Sequence, residues 1–291
     1  MTTDTVGASP SGWNLQAMPW WPLLAGMLAL TIPTIVSLGG QTWSTEAGAH
    51  GPIVIATGLW LLYHEGLTFA RAGDAMPWAR VLPLFVPALL IYIFGRAYDF
   101  ISLEVFGLYL VFIAMLLRLF GFQQIKKLVF PLLYLAFVIP VPGWVLDRVT
   151  APLQLLVSYF AEHLTAFLGY PVARQGVTLV VAQYELLVED ACAGMNSLIG
   201  LLAVSLFYIY MVRRASWRYT LILLALIVPF AILVNIIRVV ALILITYHFG
   251  NEAAQGFLHG TTGMVLFGLA LMLIFGADVL MSRFLRTGDA R

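Results

Sequence analysis

The stretch Val188-Glu189-Asp190-Ala191-Cys192-Ala193-Gly194-Met195-Asn196-Ser197-Leu198 holds the only cysteine of the chain. An extended, partly charged segment precedes the thiol, and an apolar run from Leu198 to Val212 follows it. Ala191, Ala193 and Gly194 leave the sulfur little shielded from an approaching backbone. At the first turn of a helix, unpaired N–H groups and the positive end of the dipole favour thiolate over thiol. A free thiol is only a few per cent ionised at neutral pH, so such a placement matters for nucleophilic catalysis. A buried structural cysteine is the plain alternative. The other polar residues decide between the two.

Arg238 and His259 are the groups that could complete a thiol acyl-transfer site. Arg238 follows Arg218 by 20 residues, which along a helix is about 30 Å, one hydrocarbon thickness. An arginine costs roughly 2.5–3.5 kcal/mol at the centre of a bilayer, so this one should face a partner or a wet cavity. Asn235, one turn earlier, could hold the guanidinium or a substrate carbonyl. An arginine snorkelling to headgroups fits the same position. His259 opens the last apolar segment within His259-Gly260-Thr261-Thr262-Gly263, and Gly263 would admit a neighbouring helix. Nucleophile, cation and proton carrier then fall at one depth on one side. Glu189 and Asp190 could orient the histidine or bind substrate, or form a solvated loop. Asn196 could donate to an oxyanion or serve helix packing, and Gly194 allows close approach. His248 is the rival to His259; His64, Glu65 and His163 fit the site less well.

The elements that must position these residues are set by composition. Hydrophobic residues make up 62% of the 291 and charged residues 10%, with a mean hydropathy of +0.95. This is the composition of an all-α polytopic membrane protein, a single membrane domain over 1–291. A net charge of +1 argues against nucleic acid as a partner. One cysteine allows no internal disulfide and no cysteine cluster for a metal, and no cofactor is expected. Residues 1–16 lack a basic n-region and a cleavage site, so no removable signal peptide is expected.

Eight apolar segments lie near 18–38, 52–70, 80–95, 103–121, 128–145, 194–212, 219–245 and 260–282, about the length a spanning helix needs. With eight spans, eleven of the fifteen basic residues fall on one side. The other side carries Arg96, Arg148, Arg174 and Arg238. The positive-inside rule then puts both termini in the cytoplasm and the 143–191 connection outside. Residues 147–168 in that connection have apolar positions at helical spacing, as for a helix in the interface. Leu168-Gly169-Tyr170-Pro171 ends the helix. Residues 172–188 are rich in β-branched side chains, with Gly176 as a turn signal, and predict a short β-hairpin.

At these residues the chain resembles the exosortase/archaeosortase family of membrane cysteine transpeptidases, on the exosortase branch. The resemblance rests on Cys192-Ala193-Gly194, Asn235-Ile236-Ile237-Arg238 and His259-Gly260-Thr261-Thr262-Gly263, in that order. Ile139-Pro140-Val141-Pro142-Gly143-Trp144 and Leu168-Gly169-Tyr170-Pro171-Val172 add to it. Ala193 stands where serine is commoner, and Asn196 where many members have arginine; neither change removes a presumed catalytic group. The resemblance implies a nucleophilic Cys192, a stabilising Arg238 and an acid/base His259. It implies exported substrates with a C-terminal tail: a short signal, a membrane helix and a basic end. It also implies a bacterial inner-membrane enzyme acting on the periplasmic side, with membrane lipid as surroundings and a glycolipid or polysaccharide as acceptor. Two other classes stay open on the residues alone: a membrane acyltransferase using the same thiol, and a transporter with Arg238 on its solute path. No repeated half of the kind transporters often carry is visible.

Overall fold

Runs this apolar fold as helices because lipid offers their backbone groups no partners, and only internal hydrogen bonds satisfy them. The computed structural model describes residues 21–45, 48–66, 76–187, 198–212, 217–250, 252–254 and 262–285. Its helices are α1 (Trp21–Gln41), α2 (Gly51–His64), α3 (Trp78–Ala97), α4 (Ile101–Lys127), α5 (Val129–Leu135), α6 (Gly143–Phe167), α7 (Leu198–Val212), α8 (Trp217–Phe249) and α9 (Thr262–Leu285). The chain is thus a helical membrane protein. Among the described residues, Pro22–Gln41, Trp78–Ala97, Ile101–Lys127 and Leu221–Phe249 are long and apolar enough to cross a membrane. α2 and the apolar parts of α7 and α9 are shorter.

The apolar segment expected near 128–145 is not one helix. α5 runs into a 3-10 turn at Ala136–Val138, and α6 leaves at 91° to them. Pro140 and Pro142 explain the break: neither has an N–H to continue a helical ladder, and each disfavours helical backbone in the residue before it. The pair α5–α6 counts as a fifth span only if the bent pair is taken together.

α3 and α4 form a close antiparallel pair. A Cβ on Gly95 would meet the Glu104 backbone nitrogen at 2.3 Å, and one on Gly107 the Tyr92 nitrogen at 2.4 Å. Small residues let two backbones approach where lipid supplies no hydrophobic drive. α1 is fastened to this pair by hydrogen bonds to Glu104, which is 2% exposed. Thr34 donates to its carboxylate at 2.7 Å and Arg96 pairs with it at 3.1 Å.

α6 ends in a Schellman motif. Gly169 takes a φ of +88°, its N–H reaches the Ala166 carbonyl, and that of Tyr170 the Thr165 carbonyl, so orphan carbonyls find donors. Pro171 follows, and the chain turns into a three-stranded antiparallel meander: β1 (Val172–Gln175), β2 (Thr178–Val181) and β3 (Tyr184–Leu187). The turn between β1 and β2 contains Gly176. The third strand is an addition to the single hairpin expected. Alternation along β2 buries Leu179 and Val181, which pack with Val157 and Ala161 of α6 and Val239, Leu242 and Ile243 of α8.

Candidate active site

α8 passes through the middle of this arrangement. Its Ala231 and Val234 join Leu201 of α7 and Ala270 and Ile274 of α9 in one apolar cluster. Five residues on from Val234, its Val239, Leu242 and Ile243 join the cluster formed with α6 and the meander. Asn235 and Arg238 lie at the seam between the two.

Arg238 is 1% exposed and is the only buried basic side chain among the described residues. The other three basic residues expected on that side are occupied elsewhere. Arg96 pairs with Glu104, Arg148 lies over the Trp144 ring, and Arg174 pairs with Glu162 at 3.1 Å. A guanidinium taken fully from water carries a cost of several kcal/mol that neighbours or a ligand must offset. Asn235, 4% exposed, donates from Nδ2 to the Ala231 carbonyl at 3.0 Å. That bond commits one amide hydrogen to its own helix, and Oδ1 can only accept. A planar fork with an aligned amide can hold a carbonyl or carboxylate and stabilise negative charge on it.

The helix ends adjoining Cys192 and His259 share this end of the bundle. Tyr208 of α7 donates to Asp278 of α9 at 2.6 Å, and Tyr219 of α8 donates to the same carboxylate. From this clasp, α7 runs back ten residues to Leu198 and α9 sixteen to Thr262, while α8 runs forward nineteen to Arg238. At 1.5 Å per residue these are about 15, 24 and 28 Å. Leu201, Ala270 and Val234, each further from the clasp on its own helix, belong to one apolar cluster, so the three helices leave the clasp side by side. The first residues of α7 and α9 and the Arg238 half of α8 are therefore all at the end away from the clasp.

Cys192, Gly194, Asn196, Glu189, Asp190 and His259 lie outside the described residues. His248 is described, and it is not beside Arg238. It sits ten residues further along α8, about 15 Å, exposed and 3.1 Å from the Tyr170 hydroxyl. His163 is likewise exposed, held against Tyr159 on α6, and His64 stacks on Trp60.

Three residues that sequence reasoning passed over matter to the architecture: His50, Glu104 and Asp278. Each is an isolated polar residue at or near an apolar run, a signal that could have marked it. His50 Nε2 lies 3.3 Å from the Phe137 carbonyl, and its ring abuts Gly200 in the first turn of α7. Among the described residues no group of three or more His, Cys, Asp or Glu is placed to hold a metal ion.

Compared with known proteins, residues 42–276 match the family model described as transmembrane exosortase. The matched range contains Cys192, Asn235, Arg238 and His259. No curated protein and no solved structure matches the chain.

Proposed function

The chain belongs to the transmembrane exosortase family, and from that premise we propose that it is a membrane cysteine transpeptidase acting on exported proteins. Its substrates carry a C-terminal tail made of a short signal, an apolar helix and a basic end. Both termini of the enzyme lie in the cytoplasm and the 143–191 connection lies outside, in the bacterial inner membrane, with α6 along the interface. The substrate's helix anchors it in the same bilayer, so its scissile bond arrives at the outer boundary already oriented, which can supply several kcal/mol of the barrier.

In this reading the Cys192 thiolate attacks the scissile carbonyl. The negative charge that develops on the carbonyl oxygen is met by Arg238, which Asn235 orients. His259 takes the thiol proton and returns it to the leaving amine as the C–N bond breaks. The products of this half are a thioacyl-enzyme and the released tail. A nucleophile from a surface glycolipid or polysaccharide component then attacks the thioester, and Cys192 leaves as thiolate. Glu189, Asp190, Asn196 and Gly194 border the nucleophile and shape its approach.

One observation carries the reading: the helices leading from Cys192 and from His259 pack directly on the helix that buries Arg238, with the relevant ends together. β3 ends at Leu187, five residues before Cys192, in the meander whose middle strand packs on α8 beside Arg238. Leu198 is the sixth residue after Cys192, a reach of at most about 21 Å. The described chain nearest the cysteine on either side, β3 and α7, thus packs against α8.

The test is processing of a tail-bearing reporter in membranes, by wild type and by Cys192→Ala. The reading expects cleavage by the first and none by the second at equal membrane levels. Cleavage by both removes the thiol mechanism. A fatty acyl mass on Cys192 in place of a peptide mass would make the protein an acyltransferase.

A further inference from the structure

Between α2, the break before α6 and the start of α7 there is a small open cleft of about 60 Å³. Its wall includes Trp43, His50, Phe137, Val141, Leu146 and Ile199. Ile199 is the second residue of α7, seven after Cys192. α2 and α7 run in the same direction, since His50 meets Gly200 while Trp60 meets Phe207 further along. The cleft is therefore at the same end of the bundle as Arg238.

One border of the cleft has unusual backbone chemistry. Ile139 and Pro142 are extended, with ψ of 117° and 136°, and Pro140 has no N–H. Among the described residues the Ile139, Pro140 and Val141 carbonyls accept no hydrogen bond, and the Val141 N–H donates none. A short, extended run of uncommitted backbone groups beside an apolar hollow is how a strand-like peptide is taken up: main-chain bonds give affinity and the hollow selects a side chain. His50 braces the opposite wall. A carbonyl can only accept, so in a neutral ring Nε2 carries the proton toward Phe137 and Nδ1 is the acceptor, turned to the first turn of α7.

We infer that this cleft is the subsite for the substrate's short signal: an extended peptide segment pairs with backbone 139–141 and places one uncharged side chain between Trp43, His50 and Val141. The inference rests on the proposed peptide-transfer reading. It adds where the signal binds and what it must be: extended where it binds, and bearing a side chain without formal charge, because the described lining offers no carboxylate or guanidinium to pair with one. Gly51 sets the position of the Trp43 wall, since a Cβ there would lie 2.2 Å from the indole nitrogen.

The experiment uses the full-length enzyme in membranes and a reporter ending in a tail from an exported protein of the same organism. A small aliphatic diazirine amino acid of about leucine's size, which leaves the cleft open, replaces Val141, which is 40% exposed, or, as control, Leu280, which is 58% exposed near the clasp at the other end. The expected result is an adduct from position 141 to the signal segment and none from position 280. In parallel, Val141→Trp, which fills the cleft, should reduce processing about tenfold, as loss of one pocket contact does, while Val129→Trp, at an exposed position of α5 outside the cleft, leaves it near wild type. Cleavage of the reporter with no adduct from 141 and full activity of Val141→Trp would overturn the subsite and leave the transpeptidase reading standing. A reporter that the wild-type enzyme does not cleave and that position 141 does not capture would sink that reading, and the subsite with it.

Discussion

Two carboxylates sit among the apolar helices of this protein, and their surroundings differ. Glu104 is buried, meets the Arg96 guanidinium and the Thr34 hydroxyl, and joins α1, α3 and α4. Asp278 meets no basic side chain in a described ion pair; the Tyr208 and Tyr219 hydroxyls donate to it, and it joins α7, α8 and α9. The first set of helices carries none of the residues proposed for chemistry. The second leads to all of them. Burying a charge against an opposite charge fixes a fold, whereas aiming two neutral donors at one carboxylate also fixes the azimuth of the helices that hold them. The Asp278 clasp lies about 28 Å along α8 from Arg238, so any influence on that end has to pass through helix direction.

The largest effects should come from the clasped half, at its far end. Cys192→Ala should lower reporter cleavage by at least about a thousandfold with unchanged membrane insertion, as read by immunoblot of the precursor and product. Arg238→Lys should lower it about a hundredfold, because a point charge cannot reproduce the planar fork. Wild-type rates for Arg238→Lys would remove the guanidinium from the transition state. His259→Ala should be inactive while His248→Ala stays within about threefold of wild type, since His248 is committed to Tyr170 and lies about 15 Å from Arg238. The reverse pattern would exchange the two imidazoles.

Smaller effects should separate the two clasps. Asp278→Asn and Glu104→Gln should each cost about 1–3 kcal/mol of stability, measured as a lowered thermal midpoint in detergent. Only Asp278→Asn should also slow processing in membranes at a temperature where both variants remain folded. Equal slowing by both would mean that the distinction between the halves has no functional content.

Much of this arrangement was visible in the residues, and its omissions have physical causes. The Gly169-Tyr170-Pro171 break and the Gly176 turn were legible because each rests on one residue's backbone preference. The second turn of the meander was not: Ala182 takes a φ of +53° there, a left-handed conformation that an alanine does not advertise. Pro140 and Pro142 mark the 91° bend, but the apolar run over 128–145 continues through them and by hydropathy alone reads as one span. Arg238 was found because an arginine inside an apolar run is costly, and its 1% exposure agrees with that cost. Glu104 obeyed the same rule and was passed over, since its partners, Thr34 and Arg96, come from two other helices. His50 escaped because nothing local in its sequence indicates the turn of α7 that covers it.

The account stands or falls on what becomes attached to the sulfur. Intact-mass and peptide-mapping mass spectrometry of the enzyme, quenched with acid while it turns over a tail-bearing reporter, should find the reporter body joined to Cys192 as a hydroxylamine-sensitive thioester, absent in Cys192→Ala. A Cys192 that stays unmodified while the tail is released at the wild-type rate would contradict it.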